Sequence, residues 1–153
     1  VDLTVACPNA APIPSGTVTF TGSVGNTGTV TVTNVVVIND AAPGQPVFQV
    51  ASLAPGASAN FNASGTVPSG DCSVTASFRV TTAGLCGTTG IADTASVTCP
   101  VTTNPAIVVT HECPVGGLTP GQAAAFPATV QNTGNVALKN VTVVSGTTTV
   151  SDC

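Results

Sequence analysis

The chain has 153 residues, enough for one domain and part of another. Only 5% of them are charged, where an ordinary soluble domain has roughly 25%. Arg79 and Lys139 are the only Lys/Arg side chains, so there is no basic patch for nucleic acid or anionic lipid. The net charge of -4 is scattered over Asp2, Asp40, Asp71, Asp93, Glu112 and Asp152, which is not an acidic tail.

Residues of apolar type make up 42% of the chain, yet Trp, Tyr and Met are absent. Val, Ala, Thr and Phe must therefore fill the interior, a palette that suits pleated sheets packed face to face. No apolar run reaches the roughly 20 residues needed to span a membrane. No charged-then-apolar leader stands at Val1, so a secreted form is expected to have lost its signal already. The six cysteines lack any CxxC spacing and His111 is the only histidine. They point to disulfides in an oxidising compartment and away from zinc or haem.

In chain order, "VDLTVACP" alternates Val1, Leu3 and Val5 on one face and predicts a first strand. "TVTFTGSV" places Val18, Phe20 and Val24 inward, with Thr17, Thr19 and Thr21 outward. "GNTG" is a turn, since Asn and Gly accept positive φ. Val30 and Val32 keep one phase and Val35 and Val37 take the other, so a bulge is expected near Asn34. A short "VFQV" strand follows, then the Pro-Gly turn of "SLAPGAS". "ANFNASGTV" alternates Ala59, Phe61 and Ala63 with Asn60, Asn62 and Ser64. "CSVTASFRVTT" and "GIADTASVTC" form a last pair joined by "AGLCGTT". About seven short strands without an amphipathic helix predict an all-β antiparallel sandwich.

The chain then repeats itself. "VGNTGTVTVTNVVVIND" from Val24 and "VQNTGNVALKNVTVVSG" from Val130 align at an offset of 106, which also carries Cys7 onto Cys113 and Phe20 onto Phe126. A period of that size is a whole domain. Residues 1–101 are expected to form a complete sandwich, 102–106 a Pro-rich linker, and 107–153 the first part of a second module. The strands of that second module should be covered either by further chain or by a strand from a neighbouring chain.

The string "NTGNVALKNVTV", together with "SLAPGAS" in the first module, resembles the tandem Ig-like "conserved repeat" modules of bacterial and archaeal surface proteins. The resemblance covers both modules. It implies an extracellular Ig-like sandwich strung in series, with a stalk or surface role, and no catalytic residues or cofactor. The first module departs from the pattern: it has no cysteine just before "SLAPG", where the second has Cys153. Within an Ig-like sandwich, Cys7 and Cys86 are expected to share one end, and Cys72 and Cys99 to face each other across the last hairpin at the other. The expected bonds are Cys7–Cys86 and Cys72–Cys99, among three connectivities.

Little else carries chemistry. His111 has only its neighbour Glu112 as a nearby carboxylate, and the two point to opposite faces of an extended strand. Asp71 and Asp152 precede cysteines in turns. A calcium ion held by Asp2 or Glu112 with loop carbonyls is the remaining metal reading. Lys139 as an isopeptide donor has no counterpart in the first module, where Thr33 stands. Asn62-Ala63-Ser64 and Asn140-Val141-Thr142 are N-glycosylation sequons. Asn62 falls on a polar strand face; Asn140 matches Asn34, which is no sequon, so a turn or bulge role explains it better. The leading expectation is a self-assembling structural module, and the rival is an adhesin-type binding module.

Overall fold

The computed structural model describes residues 1–83, 90–112, 116, 120–121 and 126–144. The chain divides into two compact units, Val1–Thr102 and Thr103–Cys153. All nine described strands pair antiparallel, and no helix occurs among the described residues.

The first unit is a β-sandwich. Strands β1 (Asp2–Ala6), β2 (Thr17–Gly25) and β5 (Ser58–Thr66) form one sheet in the order β1-β2-β5. Strands β3 (Val32–Asn39), β4 (Pro46–Leu53), β6 (Ser73–Thr81) and β7 (Ala92–Pro100) form the other, in the order β4-β3-β6-β7. Period-two alternation sets the faces. Val18, Phe20 and Val24 of β2 are buried, as are Phe61 and Ala63 of β5 and Ala76, Phe78 and Val80 of β6. Phe78 lies at the centre: its ring meets Phe20 edge-on at 5.8 Å and Phe61 at 6.0 Å, and Phe61 stacks on Phe48 at 6.0 Å. Gly22 makes this cluster feasible, because a Cβ there would overlap the Phe61 ring and lie 2.7 Å from Thr4 O.

The phase change predicted in β3 has a visible cause. Asn34 adopts a left-handed backbone at φ 53°, which Asn tolerates better than most residues. Val32 therefore points inward and so does Val35, an odd spacing that an unbroken pleat forbids. This is not the expected bulge at Asn34: β3 keeps one register against β4 from Val32 to Val37, and the shift falls between Val37 and Ile38. Val30 does not share their phase. It is 57% exposed and belongs to the turn ahead of β3.

The second unit contains β8 (Ile107–His111) and β9 (Ala128–Asn132), paired antiparallel. Ile107 faces Asn132 and Val108 faces Gln131. Moved back by the repeat offset, these become Val1 with Asn26 and Asp2 with Gly25; the second is an observed β1–β2 pair. The two hairpins thus share one register. Asn140, aligned with Asn34, is likewise left-handed at φ 55°. A strand over 141–144, the counterpart of β3, is not formed, because no described residue pairs with it.

The disulfide differs from expectation. Cys7 is bonded to Cys99, with their Cα atoms 5.5 Å apart, and Cys72 is an exposed free thiol. Neither Cys7–Cys86 nor Cys72–Cys99 is therefore present; Cys86 itself, like Cys113 and Cys153, lies outside the described residues. The reason is the length of β1. This strand does start beside the start of β7, where Leu3 N–H donates to Asp93 Oδ2 at 2.8 Å. Cys7 follows just past the far end of β1, four residues or about 13 Å beyond Leu3, beside the close of β7 at Cys99.

Candidate functional site

Three features of the described residues are distinctive enough to bear on function: a closed sandwich edge, two hydroxyl-covered outer faces, and an asparagine turn that occurs twice.

Strands β1 and β7 are edge strands of different sheets. They are tied together at both ends, by the Leu3–Asp93 hydrogen bond and by the Cys7–Cys99 disulfide. The Asp93 carboxylate also accepts from its neighbour Thr94 N–H at 2.8 Å. Hydrogen bonding from Leu3 N–H first, and then from Thr94 N–H, holds its pKa below the ordinary aspartate value. The tie favours the ionised carboxylate.

The outer faces carry hydroxyls instead of charges. On the three-stranded sheet, Thr4 Oγ1 lies 2.8 Å from Ser23 Oγ, and Thr19 Oγ1 lies 3.4 Å from Ser64 Oγ. On the other sheet, Thr75 pairs with Thr98 at 2.9 Å and Ser77 with Ser96 at 3.2 Å. Such cross-strand pairs add modestly to sheet stability, and they leave a surface almost without charge. The ion pair between Arg79 and Asp40, 3.1 Å long, is a surface contact at the end of β3. Asn62 is exposed on β5, beside Thr21 in register, and lines a shallow depression with Thr4, Ser23 and Asn60.

The turn after β2 is built on Asn26, which is only 2% exposed. Its Nδ2 donates to Val30 O and Leu53 O, both at 2.9 Å, and its Oδ1 accepts from Gly28 N–H at 3.0 Å. One side chain thus closes a turn and fastens it to the end of β4. Its backbone joins in, with Asn26 N–H donating to Ala57 O and Asn26 O accepting from Gly56 N–H. In the second unit Asn132 Nδ2 donates to Val136 O at 2.8 Å and Oδ1 accepts from Gly134 N–H at 3.0 Å. The closure is the same, atom for atom. Sequence reading found the repeated "NTG" as a turn and missed that Asn26 is a buried anchor; the signal was that Asn, Thr and Gly recur together at 26–28 and 132–134.

The remaining candidates stand apart from one another. His111 is exposed on β8 opposite Ala128, and Glu112 uses its N–H to donate to Pro127 O. Lys139 and Asn140 are exposed. No group of three His, Cys, Asp or Glu side chains converges among the described residues. No described helix is long and apolar enough to cross a membrane. Comparison of the chain with protein-family models, with curated proteins and with solved structures returned no match.

Proposed function

We propose that the protein is a non-catalytic structural module of an extracellular filament or cell-surface layer, built from serial disulfide-stapled Ig-like domains. The observation that carries this reading is repetition in three dimensions. The second unit restarts the hairpin of the first in the same register, with the same asparagine turn and the same left-handed Asn. A chain that rebuilds one module at a fixed offset suits a serial assembly. The three-plus-four strand order supports the Ig-like assignment, and the disulfide supports an oxidising compartment. A hydroxyl-covered surface with so few charges has little electrostatic repulsion to keep copies apart, which favours self-assembly. Asn62, exposed on its polar face, is the better of the two glycan acceptors; Asn140 has a backbone role to explain it.

Electron microscopy of native material tests the proposal. Long regular fibres or a lattice are expected. The alternative, an adhesin-type module that recognises a protein or glycan, draws on the depression lined by Thr4, Ser23, Asn60 and Asn62. That reading calls instead for isolated strings and for saturable binding to a ligand, abolished by changes at Asn60.

A further inference from the structure

We propose that the asparagine turn is a docking surface for the extended segment that leads into a module, and that its glycine is there to let that segment's backbone lie against it. In the second unit the surface is occupied. Residues 104–106 run along the turn after β9 as a continuation of β8. Thr133 N–H and Gly134 N–H donate to Ala106 O at 3.0 and 3.2 Å, and Asn135 N–H donates to Asn104 O at 3.1 Å. Asn104 N–H returns a bond to Asn135 Oδ1 at 2.6 Å. Pro105, between them, has no N–H to satisfy and favours an extended backbone in itself and in Asn104. The segment is therefore preformed for docking.

Gly134 is the residue the arrangement depends on. A Cβ at this position would overlap Asn104 O and lie 2.5 Å from Ala106 N and 3.0 Å from Pro105 C, all backbone atoms that cannot rotate aside. The aligned Gly28 has a different environment: a Cβ there would meet only its own turn's Asn26 Oδ1, at 3.3 Å. Both glycines donate to the same asparagine oxygen at 3.0 Å, so the turns match; the positions aligned with 104–106 fall ahead of Val1. Within the first unit, Val101 N–H donates to Cys72 O and Thr102 N–H to Pro12 O. Thr103 is thus the one residue between two hydrogen-bonded stretches, and the Pro-rich segment belongs to the module it enters. This holds whether the modules assemble into a filament or act singly.

Amide exchange and limited proteolysis of the full chain test the idea. In Gly134→Ala, exchange at Thr133 and Asn135 should accelerate by about tenfold or more. Cleavage by a broad-specificity protease at 103–106 should rise with it, while Gly28→Ala leaves 103–106 as resistant as in the parent. Unchanged exchange at Thr133 and Asn135 in Gly134→Ala would overturn the proposal. Because that variant could also disturb the β8–β9 hairpin, a gain-of-contact variant completes the test. Adding Asn-Pro-Ala ahead of Val1 should slow exchange at Thr27 and Thr29, the aligned amides. If those amides exchange no more slowly, the turn is not a dock.

Discussion

The same sequence motif sits in two different environments. Asn26 and Asn132 close identical turns, yet Asn26 is buried and makes an extra bond to Leu53 O, whereas Asn132 is exposed. Val24, Val35 and Val37 are fully buried; their counterparts Val130, Val141 and Val143 are 40, 49 and 56% exposed. The local geometry is equal, so it must be set by local chemistry: an Asn side chain bonding its own turn, and an Asn that accepts positive φ. Burial is unequal, so turn and hairpin alone do not set it. Turn and register are properties of a dozen residues. A core is a property of the whole sandwich.

The sharpest contrast should come from the aligned phenylalanines. Phe20→Ala removes a ring packed on Phe78 in the buried core and should destabilise the first unit by about 3–5 kcal/mol. Phe126→Ala, at a half-buried position, should cost well under half of that. Thermal melts followed by exchange mass spectrometry would separate the two units, and equal effects would dissolve the distinction between the buried ring and its half-buried counterpart.

Next in size is the staple. Cys7 and Cys99 close a separation of 92 residues, and replacing both with Ala should destabilise the first unit by about 2–5 kcal/mol. The β8–β9 hairpin should keep its exchange pattern. Peptide mapping without reduction should recover a Cys7–Cys99 cross-link; recovery of Cys72–Cys99 instead would refute the parallel placement of β1 and β7.

The asparagine pair comes third. Asn26→Ala leaves Leu53 O, Val30 O and Gly28 N–H without their partner in a largely buried site. The expected loss is about 1–3 kcal/mol. Asn132→Ala exposes its partners to water that can replace the lost bonds, and should cost less than about 1 kcal/mol. Chemical denaturation of the two variants measures the difference.

Acid should produce the smallest effect. Asp93 has a depressed pKa in the folded state. Its contribution is therefore complete above the ordinary aspartate value of 3.8 and is lost as pH falls through the lower folded value. Protection of the Leu3 amide should fall in that window, and Asp93→Asn should flatten the dependence. Val109, aligned with Leu3, should show no matching change; if it does, the acid response is general and not a property of the β1–β7 tie.

Much of the fold could be read in the sequence because alternation reports directly on facing. Val18, Phe20, Val24, Phe61 and Ala63 alternate with polar residues and are buried as that pattern requires. The break in phase at Asn34, and its echo at Asn140, was legible because a pleat cannot skip a residue without a special backbone. The short "VFQV" reading grew to β4, Pro46–Leu53, because pairing with β3 recruits residues with weak strand preference.

What the sequence by itself determined is therefore local: strand faces, turns, and the change of phase at Asn34. What only the tertiary structure decided is which distant residues meet. Cys7 bonds Cys99 because a five-residue strand carries it to the opposite end of the sandwich. Gly134 must be a glycine because a segment thirty residues earlier lies against it. Asn26 is buried because the end of β4 closes over it. Alternation is a property of neighbouring residues along the chain, whereas each of these meetings depends on how two sheets are laid on one another, and no single stretch of chain encodes that.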